Sequence, residues 1–171
     1  MSLILPFGDR TPAIDPTAWV APTATLIGGV TLGDSAGVYY GAVLRADSDD
    51  ITIGPWSNIQ DNAVVHCDPG SPTIVGGGVS VGHGAVLHGC VIEDDCLIGM
   101  SATVLNGAVI GKGSLVAAGS VVLENTVIPP GSLVAGVPAS VRRGLGKEEI
   151  NDIRDNARRY AELSSKHREL S

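Results

Sequence analysis

Aromatic residues make up only 4% of this 171-residue chain, and phenylalanine occurs once. A core built on stacked rings is therefore excluded, and Val, Ile, Leu and Ala must fill the interior. Cysteine occurs three times, at Cys67, Cys90 and Cys96. An odd count in a chain of this length gives no disulfide framework, and a reduced, cytoplasmic setting is expected. Basic residues are outnumbered 11 to 18 by acidic ones, for a formal net charge of -7. That balance argues against a nucleic-acid partner and against an anionic membrane surface. No apolar run reaches transmembrane length. The start "MSLILPFGDR" lacks a basic segment and a long apolar stretch, so no secretory signal is expected. What is abundant is aliphatic residues and glycine, which occurs 23 times. A hydrophobic content of 44% excludes disorder.

These residues repeat. Steps of six from Ile14 land on Val20, Leu26, Leu32, Val38 and Leu44. The frame resumes at Ile53, Ile59 and Val65, then at Val75, Val81 and Leu87. From Ile92 it runs unbroken through Ile98, Val104, Ile110, Val116, Val122, Ile128 and Val134. The fifth slot of each hexad is small, as at Ala24, Ala42, Ala63, Ala85, Cys96, Ala108 and Ser120. Lying two positions before the next aliphatic, it faces the same interior. The fourth slot is rich in Gly, Asn and Asp, including Gly29, Gly41, Asp47, Asn62, Gly84, Asp95 and Asn125. Those types tolerate the positive φ of a sharp corner. Each hexad is thus a short strand and a corner, and three make one triangular coil. The expected fold is all-β: a parallel β-helix over residues 1–143, its coils ~4.8 Å apart. The tail has no hexads. Ile150, Ile153, Ala157, Tyr160 and Ala161 recur at helical spacing. Residues 144–171 are expected to form a C-terminal α-helix on the prism or on a neighbouring subunit.

Stacking the hexads in threes places Leu44, Val65 and Leu87 on one face. The residues that follow them, Arg45, His66 and His88, then form an outward column. Two imidazoles ~4.8 Å apart can tilt to share one metal. His83 belongs to another column, above Asp61 and Tyr40. It is five extended residues from His88, roughly 16 Å along a strand. It can join the pair only from a second subunit, and such a heterologous contact must close into a ring. The expectation is a homotrimer with one metal at each interface. His66 and His88 come from one chain and His83 from the next. His167 is expected in solvent, Cys96 in the core, and Cys67 and Cys90 beside the site but outside the ligand column.

The stretches "LRAD", "GPWSNIQDNAVVH" and "VGHGAVLHGCVI" resemble the γ-class carbonic anhydrase family. The resemblance spans about Ile14 to Pro138. It implies a left-handed prism and zinc (or iron) bound by the matching histidines His66, His83 and His88 at trimer interfaces. It also implies interface salt bridges for Arg45 and Asp47. Asn58, Gln60 and Asp61 match residues that organise the site and its water, and Asn156 and Tyr160 match positions near its mouth. Three neutral imidazoles leave Zn2+, Fe2+ or Co2+ dipositive, with a position open for water whose pKa falls to about 7. The implied reaction is hydration of carbon dioxide to bicarbonate and a proton by that hydroxide. The sequence departs from the best-known members in lacking glutamates in "ADSDD" and "HCDPGSP". Asp49, Asp50 and Asp68 are the candidate replacements for proton transfer, and in lacking those glutamates the chain resembles the short, loop-less subfamily.

Three other functions use the same scaffold. A metal-dependent acyl-coenzyme A thioesterase would employ the same centre. A hexapeptide-repeat acyltransferase needs one histidine as base and usually a long loop, whereas "DPGSPT" is short. A silent trimeric scaffold has no use for three histidines in these columns.

Overall fold

The computed structural model describes residues 2–170. Its strands stack as three parallel ladders around one axis, forming a left-handed β-solenoid of about 7 turns. One ladder runs through Trp19–Val20, Gly37–Val38, Asn58–Ile59, Ser80–Val81, Leu97–Ile98, Leu115–Val116 and Ser132–Gly136. A second carries Val64–His66, Val86–His88, Thr103–Val104 and Val121–Val122. The third carries Thr73–Val75, Val91–Ile92, Val109–Ile110 and Val127–Ile128. The second and third are joined by two long strands, Thr25–Leu32 and Val43–Ile53, that pass from one face to the other.

The aliphatic slot fills the prism. Leu26, Leu44, Val65, Leu87, Val104 and Val122 along one edge are all wholly buried. Each such side chain contributes about 1.5–3 kcal/mol by leaving water. The fifth-slot residues Ala63, Ala85, Cys96 and Ala108 are buried beside them, which places Cys96 in the core as expected. Fourth-slot corners take positive φ at Gly41, Asn62, Gly84, Asp95, Ser101 and Asn125. Two expected corners differ. Positive φ falls on Gly28 rather than Gly29, and Asp47 lies inside the strand Val43–Ile53. Here the pairing slips between Gly28 and Val30, because residues inserted after Asp47 lengthen the coil. The strand continues where the hexad frame called for a turn.

The C-terminal helix Lys147–Arg168 lies along its own chain's prism. Ile153 and Ala157 are buried against it, and Arg154 pairs with Asp95 at 3.1 Å. Gly37 provides its seat, since a Cβ there would meet Ser164 Oγ at 2.3 Å. The last turn reaches the first coils, so His167 is not in free solvent. Its ring stacks on Trp19 at 5.5 Å, and Nδ1 lies 3.0 Å from the Tyr40 hydroxyl. An antiparallel hairpin, Ser132–Gly136 with Ala139–Gly144, precedes the helix; the hexad pattern gave no sign of it. No helix among the described residues is long and apolar enough to cross a membrane.

Candidate metal centre

The outward column expected from the repeat exists: Arg45, His66 and His88 pair residue for residue on successive coils. His66 Nδ1 and His88 Nε2 face each other at 2.9 Å. Their other ring nitrogens are each held by an oxygen. His66 Nε2 lies 3.0 Å from Asp47 Oδ1, and His88 Nδ1 lies 2.6 Å from Asn106 Oδ1. Asp47 can only accept, so His66 Nε2 bears the proton. Asn106 donates through Nδ2 to Asp68 Oδ2 at 2.8 Å, which turns its carbonyl oxygen toward His88 and makes His88 Nδ1 the donor.

The two nitrogens that face each other therefore both carry lone pairs when the rings are neutral. They repel at this distance unless a positive charge lies between them. A shared proton satisfies the contact as a hydrogen bond, and a divalent cation satisfies it with two imidazole ligands already in the right tautomer. The donor set fits a metal.

His83 is placed apart from this pair. Its Nδ1 lies 2.8 Å from Asp61 Oδ2, one coil below, and its Nε2 lies 3.3 Å from the Tyr160 hydroxyl. Asp61 fixes the proton on Nδ1 and leaves the ring's lone pair on Nε2. The His83 side chain is 44% exposed and that of His66 only 15%. His83 is thus the histidine this chain presents outward.

The remaining expected residues are organised in two groups. Arg45 pairs with Asp47 inside the chain. Burial opposes ionisation of Asp47, but hydrogen bonds from Arg45 and His66 outweigh it and hold its carboxyl below the ordinary value. Gln60 donates to Asn58 Oδ1 at 3.0 Å, and Asn58 donates to Ser80 Oγ at 3.0 Å. Asn156 of the helix donates to the same hydroxyl at 3.0 Å. Gln60, His83, Asn156 and Tyr160 line one cavity of about 350 Å³, which Leu97, Met100 and Leu115 also line. Burial pushes the Tyr160 hydroxyl above its ordinary pKa, and the negative charge of Asp61 adds to this. Among the cysteines, Cys67 is buried with its thiol on Asp49 O at 3.2 Å. Burial raises its pKa, and that of Cys90 to about 12, so neither is a ready thiolate.

Sequence reasoning missed Asn106 altogether. The signal was Gly89, one coil below. A Cβ there would meet Asn106 Oδ1 at 2.2 Å, so glycine is what lets the amide lie over His88.

The architecture and sequence match known proteins. A model for bacterial transferase hexapeptide proteins (six repeats) covers residues 89–124. A protein of Methanocaldococcus jannaschii named a probable carbonic anhydrase is 60% identical over 145 residues, 85% of this chain and 91% of that one. The mitochondrial gamma carbonic anhydrase 1 of Arabidopsis thaliana is 44% identical over 93% of this chain, which spans 60% of its length. A Bacillus cereus crystal structure, provisionally described as an acetyltransferase, superposes with a TM-score of 0.98 at 35% identity, covering 99% of both chains. The identity over nearly all of the Methanocaldococcus protein, on a prism built from these hexads, decides the assignment: the chain belongs to the γ-class carbonic anhydrase family.

Proposed function

We propose that this chain hydrates carbon dioxide to bicarbonate and a proton at a metal held between subunits of a homotrimer. His66 and His88 of one chain and the partner subunit's His83 are the proposed ligands, and Zn2+ the proposed ion, with Fe2+ or Co2+ suited to the same donors. A divalent cation in such a site supplies the Lewis acidity that makes hydroxide available from water near neutral pH. The observation that carries the reading is the pair of facing nitrogens 2.9 Å apart, each ring locked by an oxygen on its other side.

The protein's own groups do the rest. Asp47, Asn106 and Asp61 fix the tautomers of His66, His88 and His83. Arg45 holds Asp47 ionised and in place. Asn58 Oδ1 accepts a hydrogen bond from the Gln60 amide, which leaves Gln60 Oε1 to accept one from the attacking water. The aliphatic wall of Leu97 and Leu115 suits an uncharged, nonpolar substrate and disfavours retention of its charged product.

A second reading, hydrolysis of an acyl thioester by the same centre, is favoured by the cavity's volume of about 350 Å³, which exceeds what carbon dioxide occupies. One experiment separates them. Metal content per chain, carbon dioxide hydration and thioester hydrolysis are measured on one anaerobic preparation. Hydration that tracks metal content supports the first reading. Thioester hydrolysis alone replaces it with the second. A protein that takes up no zinc, iron or cobalt removes both.

A further inference from the structure

The insertion after His66 is an ordered turn. The Ser71 N–H donates to the Asp68 carbonyl at 2.9 Å, Gly70 takes φ +77, and the Gly70 N–H donates to Asp49 Oδ2 at 2.8 Å. This turn carries the Asp68 carboxylate back over the histidine pair. One oxygen of Asp68 and one nitrogen each of His66 and His88 lie within 4.8 Å of one another. The carboxylate is also aimed. A single amide, Asn106, donates to Asp68 Oδ2 and accepts from His88, so it holds both groups at once.

We infer that Asp68 is a third metal ligand supplied within one chain, so that a lone subunit captures the ion through His66, Asp68 and His88 before the partner subunit's His83 arrives. This rests on the reading that His66 and His88 bind metal. Two imidazoles and a carboxylate are a sufficient set for a divalent ion. The carboxylate also cancels one of the ion's charges while the site is still open to water. On assembly, the histidine takes over from Asp68, and the carboxylate stays on the Asn106 amide. A closed interface then never has to admit a hydrated cation.

The test is Co2+ and Zn2+ binding by the full chain, followed by equilibrium dialysis, the visible spectrum of the cobalt form and stopped-flow loading. The wild-type chain is expected to bind one ion each. The His83→Ala chain is expected still to bind one, more weakly, with a changed cobalt spectrum. Adding Asp68→Asn to it is expected to weaken binding by more than about 100-fold, beyond what loss of an outer partner does. Asp68→Asn alone is expected to leave one ion per assembled chain but to slow loading at least about tenfold. If wild type binds and the His83→Ala chain does not, the inference is overturned. It is also overturned if His83→Ala binds equally with and without Asp68. Failure of wild type itself to bind overturns the underlying ligand assignment instead. Circular dichroism checks each fold, and the loading rate of Asp68→Asn decides the matter should His83→Ala not fold.

Discussion

The Tyr160 hydroxyl lies 3.3 Å from His83 Nε2, on the side of the ring opposite the 2.8 Å contact to Asp61. Asp61 holds the proton on Nδ1, so the tyrosine must donate to Nε2, the atom proposed to bind metal. The C-terminal helix therefore occupies the lone pair that the proposed ion would need. Tyr160→Phe removes that competing bond, which is worth roughly 0.5–1.5 kcal/mol. The variant is expected to bind Zn2+ about two- to tenfold more tightly in a chelator competition. Weaker binding would instead show that the hydroxyl supports the bound state.

Asn106 acts on His88 from the opposite side of the site. Asn106→Leu is expected to weaken metal binding by about 10–100-fold, as loss of an outer hydrogen-bond partner does. Gly89→Ala is expected to do the same with residue 106 unchanged, because the new Cβ would meet the amide oxygen at 2.2 Å. Equilibrium dialysis of both variants measures this. Normal affinity in Gly89→Ala would mean that the amide can move without consequence.

The prism was legible in the sequence because its rule is periodic. Leu44, Val65 and Leu87 recur in one frame, and that frame alone puts His66 beside His88, where the structure has them. Legibility ended where the frame was interrupted. The inserted residues near Asp47 and Asp68 have no hexad register, so nothing in the sequence could show that one carboxylate would orient His66 and the other approach it. The hairpin before the helix and the docking of His167 on Trp19 also depend on long-range packing. Periodicity carries no information about either.

The interior slot sets the column as well as the stability. Leu87 is wholly buried and immediately precedes His88. Leu87→Ala is expected to cost about 2–5 kcal/mol, through lost transfer energy and the cavity left behind. Urea unfolding of wild type and variant gives the difference directly. An exposed substitution on the neighbouring strand, Val64→Thr, is expected to change stability by less than about 0.5 kcal/mol.

The helix start carries an acid-sensitive clamp. Hydrogen bonds from Arg143 and from the Gly146 N–H hold the Glu149 carboxyl at about 2, below its ordinary 4.5. A carboxyl depressed on folding stabilises the fold fully above its unfolded value and loses that contribution as pH falls toward the folded one. The clamp is therefore expected to weaken between about pH 4.5 and 2. Glu149→Gln should lower the thermal midpoint at pH 7, with the gap to wild type closing across that acid window. A gap that stays constant with pH would assign the effect to something other than this charge.

The proposed sharing of the site between subunits predicts complementation. A His83→Ala chain keeps an intact His66–His88 face, and a His66→Ala chain keeps an intact His83. Each is expected to form trimers without hydration activity. In trimers assembled from an equal mixture, about one interface in four joins the intact face of the first to the intact His83 of the second. Hydration activity should return in that proportion, and only after subunits exchange. The direction of the contact matters: a His66→Ala,His83→Ala double variant mixed with either parent recreates no complete interface and should restore nothing. Mixed trimers verified by mass that stay inactive would mean that all three histidines serve within one chain, which the 44% exposure of His83 and its separate Asp61 and Tyr160 partners argue against.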